Sequence, residues 1–438
     1  MVNMTKATDQ YDAGFRHPLG MSYKEVIQNY NKTFEPGTDQ DMFQYALQMT
    51  IDYISAYVGI YKPKYDRLKV NMKAGAGIPY CFNPRINTKN DCDLQLVGDC
   101  LQHLDEPVIW KTTGKVERLP LEEIHLENKI RTFQQPPFHY LLLQKIFCDE
   151  YNSDLKNIPY LAYGFDYHYG GFHKLFKRIS KHQYMSEWDV SKWDKQFSMK
   201  FDAAYIRRNF LKLNQEEEEA YWKMVNGELE PILLLHNGDL IKLKCGQVSG
   251  SDNTTTDNCE AHLVIFFFAL IKAYYEKLQE YPLLEFVLAN CEAGIYGDDN
   301  CNSVSVFYNG FINNYEWISK IYALFNLLIK NEPKKFKTSQ SVIGHTFLGL
   351  TVSTFAGRYV YLFPYEKVLN ASCVLEKEMS VQMKIQRFLA LLDLLTFTKY
   401  YDTYKKFIQE YCYSLNIEPP FMRAQTNAIR IQLGVEGK

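Results

Sequence analysis

Six residues, Ile295-Tyr296-Gly297-Asp298-Asp299-Asn300, restrict this chain more than any other stretch. Residues 293–296 form a short apolar run, and residues 301–307 alternate polar and apolar side chains at strand period. The two segments are expected to pair as a β-hairpin across Gly297 and the aspartates, since glycine and aspartate tolerate the backbone angles of a tight turn. Two adjacent carboxylates at a rigid tip can hold divalent cations, as two-metal phosphoryl transfer requires. Alone the tripeptide decides little: average composition gives roughly a one-in-ten chance of Gly-Asp-Asp in a chain of 438 residues. The hairpin gains meaning from its partners.

Two partners lie upstream. Trp188-Asp189-Val190-Ser191-Lys192-Trp193-Asp194 carries two carboxylates five residues apart. Ser249-Gly250-Ser251-Asp252-Asn253-Thr254-Thr255-Thr256-Asp257-Asn258 brings Ser-Gly, then Thr, then Asn to the start of a helix. Helix capping accounts for one or two of these polar residues, but not for their spacing. In this order and at this spacing, the three stretches resemble motifs A, B and C of the RNA-dependent RNA polymerases of positive-strand RNA viruses, in the picornavirus-like, astrovirus-like and potyvirus-like group.

Further stretches fit the same family. Lys73-Ala74-Gly75-Ala76-Gly77-Ile78-Pro79-Tyr80 is a loop of small residues that lets another backbone pass close by, and it resembles motif G, which lines the template entry. By that resemblance Gly75, Gly77 and Pro79 face the template. Lys129-Ile130-Arg131 places two cations on one face of an extended segment, where arginine can grip a triphosphate with two parallel hydrogen bonds. It resembles motif F, so Lys129 and Arg131, with Lys115 further upstream, are implied to hold the incoming triphosphate. Lys334 resembles the motif D lysine that protonates the departing pyrophosphate, with Lys330, Lys335 and Lys337 as neighbours. Gly344-His345-Thr346-Phe347-Leu348-Gly349-Leu350 resembles motif E, the hairpin that touches the primer; Gly349 stands where the family often has a basic residue.

The resemblance implies an α+β right-hand polymerase: fingers, a palm with an antiparallel sheet under helices, and a short helical thumb. Its divisions are expected at residues 1–183 (fingers, motifs G and F), 184–204 (palm, motif A), 205–243 (an insertion returning to the fingers), 244–364 (palm, motifs B to E) and 365–438 (thumb). Asp189 and Asp298, with Asp299 assisting, are implied to bind two Mg²⁺ or Mn²⁺ ions, hard cations suited to oxygen ligands. Asp194, Ser249, Thr254 and Asn258 are implied to read the ribose of the incoming nucleotide. The implied partners are RNA template and product, ribonucleoside triphosphates, other viral replication proteins and a small protein primer carrying a tyrosine. The implied location is the host cytoplasm, at viral replication complexes. Two rivals are a reverse transcriptase and a catalytically silent RNA-binding or scaffold protein of the same fold. Asp194, where a reverse transcriptase carries a bulky aromatic side chain, argues against the first, and the intact aspartates argue against the second.

Composition agrees. Hydrophobic residues are 46% and aromatic residues 15% of the chain, which fits an ordered globular protein with a large core. The net charge of −2 hides two basic stretches, one from Lys62 to Lys89 and one from His168 to His182, and such stripes suit contact with nucleic acid along one channel. The ten cysteines lie scattered with no Cys-x-x-Cys pair and no secretory signal, as expected for reduced thiols. Cys92, Cys100 and His103 fit no standard zinc spacing. Helices are expected over residues 41–61, 136–149, 252–280, 383–397 and 401–415, and an acidic run opens another at residue 216. The apolar run 263–271 is too short to span a bilayer and reads as a buried helix. Residues 311–329 read as one amphipathic helix with Trp317, Ile321, Phe325 and Leu328 on a single face.

Overall fold

The computed structural model describes residues 11–12, 39–66, 68–93, 100–114, 119–120, 132–330, 335–373, 379–420 and 425–434. At its centre stands a four-stranded antiparallel sheet of β1 (Tyr184–Trp188), β2 (Cys291–Tyr296), β3 (Asp299–Val304) and β4 (Phe336–Ser339), in the spatial order β4-β1-β3-β2. The expected hairpin is β2–β3. Asp299 faces Tyr296 and Val304 faces Cys291, so Gly297 and Asp298 alone make the turn. Gly297 has φ 62°, the positive first central position of a type II′ turn. The second strand is shorter than its alternation suggests. It stops at Val304 because the Ser305 hydroxyl accepts from Phe307 N at 3.2 Å and starts the helix Val306–Ile312.

The four longest helices among the described residues are α1 (Gln40–Ser55), α2 (Phe138–Asp154), α3 (Gln215–Leu229) and α4 (Thr254–Leu278), and α4 packs on β2 of this sheet. Helix α4 is buried from Thr256 to Ile271, and its stretch from Leu263 to Ile271 is apolar all round, as burial on every side requires. Helix α1 lies along it, with Tyr53 edge-on to Phe267 at 5.7 Å and Asp39 paired to Lys272 at 2.8 Å. The acidic run opens α3 as expected, behind an Asn214 cap that reciprocates with Glu217.

The single helix expected over residues 311–329 does not form. The chain makes the helices Val306–Ile312 and Tyr315–Leu324, then a short strand, Leu328–Ile329. Asn314 is the cause: its side chain accepts from the amides of Glu316 and Trp317, at 3.0 and 3.3 Å, and so begins a second helix. Leu328–Ile329 then pairs with Val190–Ser191. A helical period cannot register an internal cap or a strand partner far upstream.

A second four-stranded sheet joins Thr132–Gln135, Ile109–Gly114, Ile232–Leu234 and Leu240–Lys242, in that order. The segment after α3 thus returns to strands more than a hundred residues upstream. A third sheet, Thr346–Phe347, Leu350–Phe355 and Arg358–Leu362, contains the hairpin expected near Gly349; Leu348 and Gly349 turn it at φ 53° and 72°. The helices Tyr365–Cys373, Val381–Leu394 and Tyr401–Ser414 share a separate core around Phe388, Leu392 and Tyr404. A last helix, Gln425–Leu433, reaches back to the start of the chain's middle third, where Tyr169 N and Gly170 N donate to Ile431 O and Gln432 O at 3.0 Å each. Among the described residues no helix is long and apolar enough to cross a membrane. No cysteine is in a disulfide.

Candidate active site

Helix α4 holds the hairpin turn by its two backbone groups. Gly297 N donates to Cys259 Sγ at 3.2 Å, and Gly297 O lies 2.7 Å from His262 Nδ1. A carbonyl can only accept, so Nδ1 carries the imidazole hydrogen, and Nε2 accepts from the Tyr322 hydroxyl at 2.7 Å. Burial pushes His262 down to about 4 and keeps it neutral. Behind the turn, Asn300 Nδ2 donates to Trp188 O at 2.9 Å and ties β3 to the last residue of β1.

Asp189 follows that residue directly. Its amide donates to Lys335 O at 2.8 Å and its carbonyl accepts from Lys330 N at 3.0 Å. Its carboxylate lies 3.1 Å from Lys330 Nζ and 2.9 Å from Lys335 Nζ. Burial alone would raise its pKa; the two lysines outweigh burial and hold it below its ordinary value. The hairpin aspartates behave oppositely. Asp298 is pushed up to about 7, first by the protein around it and then by Asp299, Asp194 and Asp189. Asp299 is pushed up to about 6, again first by its surroundings, then by Asp189 and Glu187. Both side chains reach solvent, so the enclosure is that of a concavity and not of a sealed core. Asp298 is therefore repelled by Asp189, Asp194 and Asp299 across one cleft. Hard oxygen donors gathered this closely, with Asp298 and Asp299 held above the ordinary carboxylate range, fit divalent cations.

Asn258 stands beside the turn. A Cβ on Gly297 would lie 3.9 Å from Asn258 Cβ. Asn258 is buried, and its Oδ1 has no hydrogen-bond partner among the described residues. Ser249 is exposed, with its hydroxyl 3.0 Å from Gln134 Oε1 on the second sheet. Thr254 turns its hydroxyl inward, donating to Val248 O at 2.8 Å and Ser251 O at 3.0 Å, which shapes the loop that carries Ser249. The small-residue loop passes against the same strand: a Cβ on Gly75 would stand 2.8 Å from Gln135 Nε2, and one on Gly77 2.1 Å from Pro136 O. Pro79 is exposed at its rim. Lys115, Lys129, Arg131 and Lys334 lie outside the described residues.

Several site residues carry no local sequence signal. Lys330 and Lys335 flank the residue expected to act as the motif D lysine, yet the structure sets both on Asp189. Lys367, on the helix after the third sheet, comes within 3.0 Å of where a Cβ on Gly349 would stand. A buried network underlies the Ser249 loop: Glu228 accepts from Gln144, Ser251 and Asn253, and Arg207 pairs with Asp257 in full burial. Only the charge of these residues was visible in the sequence, not their burial.

A profile of the family described as viral RNA-dependent RNA polymerase matches residues 9–370. The chain is 26% identical over 277 residues to the non-structural polyprotein 1AB of turkey astrovirus 1, covering 60% of this chain and 17% of that polyprotein. It is 28% identical over 277 residues to the genome polyprotein of tobacco vein mottling virus, covering 57% and 9%. The chain thus spans under a fifth of the length of these relatives. The solved Sicinivirus 3Dpol RNA dependent RNA polymerase matches it with a TM-score of 0.74 at 14% identity, covering 94% of this chain and 89% of that one, so the two share the right-hand polymerase fold. With the family's profile covering most of its length and that fold around its aspartate cleft, the chain belongs to the viral RNA-dependent RNA polymerases.

Proposed function

We propose that the chain copies a viral RNA template, transferring ribonucleotides to the 3′-hydroxyl of a growing RNA strand. The observation that carries this reading is the convergence of Asp189, Asp194, Asp298 and Asp299 on one cleft beside the unpartnered Oδ1 of Asn258. Asp189, Asp298 and Asp299 are the residues to hold two Mg²⁺ or Mn²⁺ ions. Bound there, such a pair acidifies the attacking hydroxyl and neutralises charge on the departing pyrophosphate. Asp194 and Asn258 contact the ribose, with Asn258 Oδ1 offering an acceptor to a hydroxyl. Ser249, held by Gln134, and Thr254, which shapes the loop, complete that pocket. Lys129, Arg131 and Lys115 grip the triphosphate, and Lys334 donates a proton to pyrophosphate. Lys330 and Lys335 balance the charge of Asp189. Gly75, Gly77 and Pro79 guide the template, and Lys367 supplies near Gly349 the cation that the hairpin itself lacks.

In this reading residues 1–183 and 205–243 are fingers, 184–204 and 244–364 palm, and 365–438 thumb. The second sheet, which joins strands from 109–135 and 232–242, supports grouping the first two. The working partners are a small tyrosine-bearing protein primer and other replication proteins, in the host cytoplasm at replication complexes. Primer extension on an RNA template with labelled ribonucleotides is the test. Template-dependent extension that needs a divalent cation is expected. Extension only with deoxynucleotides would point to a reverse transcriptase, and RNA binding without any extension to a silent scaffold.

A further inference from the structure

Beside the aspartate cleft, Glu187 of β1, Cys301 of β3 and His345 before the third sheet converge from three distant segments. All three are buried, and one ligand atom from each lies within 4.8 Å of the other two. Their hydrogen bonds hold a contradiction. The contact of Ser339 Oγ with Ser341 O, 2.5 Å, needs the single hydroxyl hydrogen of Ser339. Ser339 Oγ must then accept from His345 Nε2, 2.8 Å away, so Nε2 carries the imidazole hydrogen. A neutral His345 therefore turns a lone pair at Nδ1 toward Glu187 Oε2, at 2.8 Å. That oxygen is itself an acceptor, already taking the amide of Thr346 at 2.5 Å. Two lone pairs cannot face each other in a buried site unless a proton or a metal ion lies between them.

A proton on either group, imidazole or carboxyl, would also satisfy that contact. That answer gives Cys301 no part. Its thiol is fully buried and makes no hydrogen bond among the described residues. A metal ion uses all three groups at once. We propose that Glu187, Cys301 and His345 bind a structural Zn²⁺ ion distinct from the cations of the aspartate cleft. Carboxylate, thiolate and imidazole are all zinc ligands, and thiolate and imidazole together favour Zn²⁺ over Mg²⁺ or Ca²⁺. The thiol releases its proton on binding, and glutamate and thiolate then balance the two charges of the ion. Bonds of about 2.0–2.3 Å set such ligand atoms roughly 3.3–3.8 Å apart, a spacing these side chains reach by small rotations. The hydrogen bond from Nε2 to Ser339 fixes the tautomer that leaves Nδ1 free to ligate. The three side chains would leave the fourth position of a tetrahedral ion to water. The ion would fasten the hairpin that begins at Thr346 to β1 and β3, two residues from Asp189 and Asp299 on either strand.

The experiment is metal analysis of the full chain, purified without chelator and offered zinc alone. About one zinc per chain is expected. It should survive Asp189→Asn with Asp298→Asn, which empties the aspartate cleft, and fall to trace in Cys301→Ser and in His345→Gln. Cobalt substituted for zinc should give a thiolate-to-cobalt absorption band in the wild-type chain, and this reading needs no variant to fold. A wild-type chain that takes up no zinc and gives no such band would overturn the site in favour of the protonated pair. Zinc held undiminished by a folded Cys301→Ser would assign it to other cysteines and overturn the site equally.

Discussion

Asp298 sits where a substitution separates chemistry from folding. Asp298→Asn removes one carboxylate from a group that repels itself, at a turn whose backbone is held by Cys259 and His262 and not by the side chain. The variant is expected to lose nucleotide incorporation while keeping its circular dichroism and its affinity for RNA; sustained elongation would remove Asp298 from the metal set. The raised carboxyls also set a pH dependence. Asp298 and Asp299 bind protons more tightly folded than unfolded, so their contribution to stability is present at low pH and lost as pH rises through about 6 and about 7. Cations relieve the repulsion that appears above that window. Mg²⁺ should therefore raise Tm more at about pH 8 than at about pH 5.5. Equal gains at both values, read by thermal unfolding, would contradict the assignment. Asn258 offers a third check. Its Oδ1 is buried without a partner, and a lost contact of this kind is worth about 1–3 kcal/mol, or roughly five- to a hundred-fold. Asn258→Ala should narrow the preference for ribonucleotides over 2′-deoxynucleotides by that factor. An unchanged ratio of the two efficiencies would make Asn258 a packing residue.

Among the elements, helix α4 does the most to assemble the cleft. Its apolar middle buries it between α1 and the central sheet, while its N-terminal turns carry Asp257, Asn258, Glu260 and His262 into the interior. Each of these polar groups needs a partner, and most have one: Arg207 for Asp257, Tyr151 for Glu260, Gly297 and Tyr322 for His262. Asn258 Oδ1 and Glu260 Oε2 have none among the described residues, and of the two it is Asn258 that stands beside the hairpin turn. Arg207→Ala would leave the Asp257 carboxylate buried and unpaired, at a cost of about 3–5 kcal/mol. The midpoint of urea unfolding measures this, and replacing both partners by apolar residues should recover much of the loss. A cost below about 1 kcal/mol would mean that Asp257 reaches water or another cation. The Ser249 loop depends on its neighbours in the same way. A Cβ on Gly250 would stand 1.9 Å from Gln134 O, so the loop and the second sheet touch backbone to backbone there.

For the whole molecule, the C-terminal part is small. After the third sheet come three helices with their own core and a fourth that docks on residues 169 and 170, with Arg358 donating to Leu433 O at 2.7 Å. Among the described residues this part contains only helices and their short connections, with no strand or long excursion directed at the cleft. Polymerases that start without a primer usually brace the first nucleotide with a protein element, often a thumb insertion, and a channel without one admits a primer or a duplex. Copying with a pre-annealed oligonucleotide should therefore be much more efficient than copying without it. Efficient primer-free starts at the template 3′ end would refute this.

The family was legible in the sequence because three short stretches, taken in chain order, resemble its motifs. Gly297 and Asp298 favour a tight turn, Thr254 to Asn258 open a helix behind the Ser249 loop, and Asp189 and Asp194 precede both. The buried helix α4 was legible too, since its apolar run leaves no polar face. Tertiary structure decided the rest. Residues 311–329 keep a helical period that Asn314 interrupts by capping. The strand pairing of Leu328 with Ser191, the lysines set on Asp189, Lys367 beside Gly349, and the meeting of Glu187, Cys301 and His345 all join residues far apart in the chain. Hydrophobic period and turn chemistry report what a residue does with its near neighbours. Which distant side chains share its low-dielectric surroundings, and so which charges must be balanced there, is set only when the sheets and helices close on one another.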